Sequence, residues 1–214
     1  MNLHRNFARA AFLFCLMIFS STFAHADIWG PYGEYSMAYP GQEFLTLLVL
    51  PDGGGNQLDE ARLPSGGTAD ATITLLLRDA YNDPIPNYPR EDMWLESEDG
   101  GLVLCQGGTI ADSDTDQFGM TRWLNPLRGG GHSQTLTVVK VSGAEPELTQ
   151  GVRLNFNSPD INEDLIVNLL DVALFAEDFF NYPVFSFRSD FYRDGTINLA
   201  DLAVFAPAIG AHCP

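Results

Sequence analysis

Two segments near the C-terminus place oxygen-bearing side chains at one shared spacing. The first puts Asp160, Asn162, Asp164, Asn168 and Asp171 at positions 1, 3, 5, 9 and 12 of a twelve-residue run. The second, about thirty residues on, puts Asp190, Asp194, Asn198 and Asp201 at positions 1, 5, 9 and 12. Carboxylates and amides at these intervals, with the backbone carbonyl of Ile166 or Thr196 at position 7, are the ligands of an EF-hand calcium loop. A chance acidic run would not be expected to appear twice in the same register.

Each run departs once from the pattern. Leu165 occupies position 6, where the chain turns with positive φ and glycine is the unstrained choice; a side chain there costs about 1 kcal/mol. Tyr192 occupies position 3 of the second run and offers no carboxylate. The expectation is two Ca2+ sites, the first fully liganded but strained, the second relaxed at Gly195 but one ligand short and weaker. The bland alternative is a pair of loops whose Asp side chains only cap helices.

The elements that must position these ligands repeat as well. Val167 to Ala176 aligns with Ile197 to Ala206, and apolar residues recur at helical spacing in each copy: Val172, Phe175, Ala176 and Phe179, then Leu202, Phe205, Ala206 and Ile209. Each copy reads as a loop with an exiting helix, the two stripes facing each other. The β-branched residue at position 8, Val167 or Ile197, is expected to join the two loops through a short backbone bridge. Pro207 should stop or kink the second helix near Phe205. Ahead of the loops the pattern is not helical: Arg153 to Pro159 alternates like a strand, and Tyr182-Pro183 breaks the approach to the second.

A calcium loop with only its exiting helix, duplicated over about residues 158–213, resembles the type I dockerin module. The resemblance implies calcium-dependent folding and docking onto a cohesin-like or cell-surface partner, in the setting of extracellular polysaccharide breakdown. It also implies that the residues after position 9, Leu169, Leu170, Leu199 and Ala200, face that partner. They are apolar where many dockerins carry Ser or Thr, so the partner's identity does not carry over.

Residues 1–26 have basic Arg5 and Arg9, an apolar stretch from about Ala10 to Phe23, and Ala24-His25-Ala26 ahead of Asp27, the layout of a signal peptide for a secreted protein. The apolar stretch is short for a membrane span. Without it, nine basic side chains face twenty-eight acidic ones. So acidic a chain has no electrostatic reason to bind nucleic acid or anionic lipid. Two cysteines then remain, Cys105 and Cys213, which an oxidising compartment would allow to bridge; two unpaired thiols are the alternative.

Between Asp27 and Asn157 short β-branched and aromatic runs alternate with Gly, Pro, Asn and Asp clusters: 44–50, 71–77, 93–95, 102–104, 120–124 and 135–141. The expected fold class is therefore mainly β, an antiparallel β-sandwich over 27–157 followed by a small helical calcium module over 158–214. The order of turns, Asp79 to Pro89, Gly107-Gly108-Thr109-Ile110, Thr115 to Thr121 and Leu127 to Gly130, resembles the bacterial immunoglobulin-like domains of invasin and intimin type over roughly 66–143.

No nucleophile elbow, phosphate loop, zinc-protease helix or paired Cys and His occurs, so a non-enzymatic protein is expected. His132-Ser133, after Gly129-Gly130-Gly131, reads as a polar loop between strands. Glu91, Asp92, Glu96 and Glu98 around Trp94 read as a solvated strand edge. A rival function is a carbohydrate-binding accessory protein in which Trp94, Trp123 or Tyr88 stacks on a polysaccharide; a third is a structural surface protein that calcium only stiffens.

Overall fold

The computed structural model describes residues 32–146, 150–181 and 184–214. The signal-like segment 1–26 and Tyr182-Pro183 lie outside the described residues. The described chain is mainly β, with two short α-helices at its C-terminal end. Its strands are β1 (Tyr32–Met37), β2 (Leu45–Leu48), β3 (Ala61–Arg62), β4 (Thr68–Ala69), β5 (Ile73–Arg78), β6 (Met93–Ser97), β7 (Leu102–Leu104), β8 (Met120–Trp123), β9 (Gly129–Ser133), β10 (Thr137–Val141) and β11 (Leu154–Asn157). The helices are α1 (Leu169–Phe180) and α2 (Leu199–Phe205).

The strands form a six-stranded sheet in the order β4-β3-β2-β11-β9-β7, a three-stranded sheet β1-β5-β8 and a β10-β6 pair. Alternation fixes which face is inward: Ile73, Leu75 and Leu77 of β5 are buried while Thr74, Leu76 and Arg78 are half-buried. These side chains meet Leu45, Leu47, Met93, Leu95, Trp123, Leu154 and Phe156 in one core. Each such buried residue stabilises the fold by about 1.5–3 kcal/mol of transfer free energy.

Two expectations about the sandwich are corrected. It is not purely antiparallel, because β11 pairs parallel with β2, Leu154 opposite Leu45 and Asn157 opposite Leu48. A parallel neighbour needs a long crossover, and everything from β3 to β10 supplies it. The segment around His132-Ser133 is not a loop but strand β9, hydrogen-bonded to β7 and β11. Three glycines give no alternation to read, yet backbone pairing needs no side chain.

Trp123 is likewise placed in the core, with no exposed surface and its indole N–H donating to Thr109 O at 2.9 Å. It cannot stack on a sugar, which removes one of the three aromatic residues of the carbohydrate reading. Tyr88 and Trp94 are half-buried, the Tyr88 hydroxyl 2.6 Å from Ser142 Oγ and the Trp94 indole N–H donating to Glu96 Oε1 at 2.7 Å. Glu91 and Asp92 sit in a 3-10 turn rather than on the strand, and Glu91 pairs with Arg90.

The C-terminal part packs onto the end of the sandwich. Leu50, just beyond β2, is buried with Ile161, Val167, Phe175, Phe191, Phe205, Ala208 and Ala211 in a second core. Asn157 at the end of β11 donates from Nδ2 to the carbonyls of Phe187 (2.8 Å) and Asp190 (3.0 Å), both ahead of or within the second loop. Cys105 and Cys213 are joined, their Cα atoms 5.7 Å apart, closing a span of 108 residues and pinning the C-terminal tail beside β7. No helix among the described residues is long and apolar enough to cross a membrane.

Candidate metal centre

Both loops fold around their position-1 and position-12 carboxylates, which have no exposed surface: Asp160 and Asp171 in the first, Asp190 and Asp201 in the second. Asp160 accepts from the backbone N–H of Asp164 (Oδ1, 3.2 Å) and of Leu165 (Oδ2, 2.9 Å). Asp190 accepts likewise from Asp194 (3.1 Å) and Gly195 (3.0 Å). At position 12, Asp171 accepts from Asn162 N (3.0 Å) and Asn168 N (2.8 Å), and Asp201 from Tyr192 N and Asn198 N (both 2.8 Å). The two loops therefore share one hydrogen-bond scheme, as their spacing requires.

Position 9 has two duties. Asn168 and Asn198 are the N-caps of α1 and α2, each completing a capping box with the position-12 Asp three residues on. Asn168 Nδ2 also donates to Ile166 O at 3.1 Å and Asn198 Nδ2 to Thr196 O at 3.2 Å, so the position-7 carbonyl and the position-9 side chain lie together. Leu165 takes φ 66°, as the turn at position 6 demands, and Gly195 φ 80°. The strained residue in one loop and the glycine in the other have the same backbone.

The helices exit in opposed copies whose rings meet. Phe175 lies 5.3 Å from Phe205 and 5.9 Å from Phe191, centroid to centroid, both stacked. The second stripe differs from the expected one: Leu202, Ala206 and Ile209 are exposed, and Asp201, Phe205 and Ala208 face inward. Pro207 explains part of this, since α2 ends at Phe205 and a 3-10 turn, Ala206–Ala208, rotates the following residues. The expected bridge between Val167 and Ile197 is absent among the described residues. Val167 pairs instead with the C-terminal tail, donating to Ala211 O at 2.9 Å and accepting from Gly210 N at 2.8 Å. The Cys105–Cys213 bridge holds that tail, and the tail holds position 8 of the first loop.

The glycine strand β9 is the seat of the first loop. Gly131 N donates to Asp160 O at 2.9 Å, and a Cβ on Gly130 would lie 1.7 Å from Asp160 Oδ2. No pattern in the chain around Gly129-Gly130-Gly131 signals this, because the requirement comes from a residue thirty positions away. His132, next on β9, has Nδ1 3.9 Å from Glu163 Oε1 of the same loop.

Among the described residues no three His, Cys, Asp or Glu side chains converge tightly enough to form a metal cluster by themselves. Each loop carries three carboxylates at ligand positions, and amide and backbone oxygens complete the donor set. The fit to a hard cation rests on the donors: Asp160, Asn162, Asp164, Asn168 and Asp171 with Ile166 O in the first loop, and Asp190, Asp194, Asn198 and Asp201 with Thr196 O in the second. The carboxylates that accept two N–H groups keep lone pairs for a metal. The residues fit, and calcium would supply the charge that such a loop otherwise lacks. Leu169, Leu170 and Leu199, which follow position 9, are 78%, 61% and 71% exposed, and Ala200 is half-buried. None of the three leucines is packed against the sandwich.

Burial pushes the Asp160 carboxyl up to about 6; the N–H of Leu165 opposes this, and the charges of Asp171 and Asp164 add to it. Burial likewise raises Asp190 and Asp201. Asp178 at the end of α1 goes the other way: its burial is outweighed by the forked pair with Arg188 (2.7 and 3.0 Å) and by the Ser189 hydroxyl. A carboxyl raised in the folded state stabilises the fold below its unfolded pKa and loses that contribution as pH rises through its folded one. For Asp160 the window runs from 3.8 to about 6. The metal-free chain is therefore expected to melt higher at pH 5 than at pH 7.5, and the calcium-loaded chain the reverse, because protons compete for the ligand. Thermal melts in calcium-depleted and calcium-containing buffer at the two pH values check this; a metal-free chain more stable at 7.5 would contradict it.

Comparison with protein-family models, with curated proteins and with solved structures gave no match.

Proposed function

We propose that this is a secreted, non-enzymatic calcium-binding attachment protein: a β-sandwich of immunoglobulin-like type carried on a dockerin-like C-terminal module that docks onto a cohesin-like or cell-surface partner. The observation that carries the reading is the pair of loops with one shared ligand scheme, each followed by a helix that starts with solvent-exposed leucine. Calcium is the cation the oxygen donors suit, and Leu169 and Leu170 at the start of α1, with Leu199 at the start of α2, are exposed apolar side chains of the kind that mark protein contacts. Extracellular polysaccharide breakdown is the setting that the dockerin resemblance suggests, with polysaccharide reached through the partner rather than through Trp123.

The test is capture of a cohesin-type or surface protein from native extracellular material by the full chain, with and without calcium. Leu169→Asp with Leu170→Asp is expected to reduce capture at least tenfold while calcium-dependent helicity, read by circular dichroism, persists. Capture unchanged by the substitutions, or no capture with calcium present, rejects docking through this face and leaves a structural role for the module.

A further inference from the structure

We infer that the second loop carries its own counter-ion, the Arg193 guanidinium, and that the chain consequently takes one calcium ion, in the loop from Asp160 to Asp171. The inference rests on the calcium reading and divides its two loops. At position 4 they carry opposite charges, Glu163 in the first and Arg193 in the second. Glu163 is exposed and lies 3.9 Å from His132. Arg193 folds inward.

Its side chain is 15% exposed, its Nη1 lies 4.0 Å from Asp190 Oδ2, and its guanidinium carbon sits 4.9 Å from the centre of the Phe187 ring. The buried Nε has no hydrogen-bond partner. The guanidinium is thus held by charge and by the ring face, beside the position-1 carboxylate that a metal would need. Position 3 moves the same way. Where the first loop has Asn162, the second has Tyr192, whose ring lies 4.4 Å from the Arg62 guanidinium of β3. Two arginines therefore flank the second loop where the first presents an amide oxygen and a further negative charge. A dication entering the second loop meets like charge at close range and finds one ligand fewer; one entering the first meets neither obstacle.

The opposed readings differ in stoichiometry. Calcium titration calorimetry and native mass spectrometry on the full, oxidised chain at pH 7.5 are expected to give one ion per chain. Tyr192→Asn with Arg193→Gly should add a second ion, and Arg193→Gln alone should strengthen second-loop binding at least tenfold. Two ions of affinity within tenfold in the wild-type chain overturn the inference, and so does a folded double variant that still takes one. A wild-type chain that binds none overturns the calcium reading and the inference together. The wild-type count requires no substitution, so a variant that fails to fold does not remove the test.

Discussion

Asp171→Ala is expected to lower calcium affinity by at least a hundredfold, and Asp201→Ala to leave it nearly unchanged. The comparison is informative because the two residues do the same structural work. Each accepts two backbone N–H groups and closes a capping box, from Asn162 and Asn168 in one case and from Tyr192 and Asn198 in the other. Each substitution strands two N–H groups and weakens a helix start, at about 1 kcal/mol for the cap and about 1–3 kcal/mol for each donor left without a partner. In calcium-depleted buffer the two variants should therefore melt close together. With calcium in hundredfold excess over its dissociation constant, the wild type and Asp201→Ala gain about 2.7 kcal/mol and Asp171→Ala gains almost nothing. Parallel melting curves for the two variants in both buffers would show that the first loop takes no calcium.

The loops were legible because their chemistry is local. Positions 1 to 12 lie within twelve consecutive residues, so spacing alone sets which side chains and N–H groups can meet, and Leu165 at φ 66° follows from its position. The end of α2 at Phe205 was legible for the same reason, Pro207 being a local breaker. What spacing could not show is what comes from far along the chain. Val167 pairs with Ala211 and Gly210 rather than with Ile197, and the bridge from Cys105 fastens the tail there. Trp123 reads as an exposed aromatic until its strand's register turns it inward, and a slip of one residue would have reversed that. The parallel entry of β11 beside β2 is equally invisible in alternation, yet it delivers Asn157 to the second loop and Asp160 to β9. Leu202 and Ile209 fit a helical stripe on paper but are both exposed; for Ile209 the 3-10 turn after Phe205 changes the rotation per residue and turns it to solvent.

This joining of loop and sandwich changes what calcium removal should do. A segment on a free linker could unfold alone; here Leu50 sits in the second core and β9 touches Asp160. Gly130→Ala tests the joint directly. The backbone of Gly130 is not in the left-handed region, so alanine costs nothing in φ and the whole effect is steric. The new Cβ would fall 1.7 Å from Asp160 Oδ2, 2.6 Å from its Cγ and 3.0 Å from its Cβ. Rotating the carboxylate away does not relieve the last of these contacts, and it breaks the acceptor for Leu165 N. Either β9 shifts, loosening Gly131 N to Asp160 O, or position 1 leaves the metal. Overpacking of this kind costs about 1–3 kcal/mol. The expected result is a lower melting temperature together with a calcium affinity reduced at least tenfold, although Gly130 carries no ligand and lies on a sheet strand. Gly108→Ala serves as the control, because the three atoms nearest its Cβ would all belong to Arg128, the carbonyl oxygen at 2.0 Å. That substitution should destabilise the sandwich and leave the affinity of the surviving fold unchanged. If Gly130→Ala lowers stability but not calcium affinity, the seat and the loop are mechanically independent, and the contact between them is packing alone.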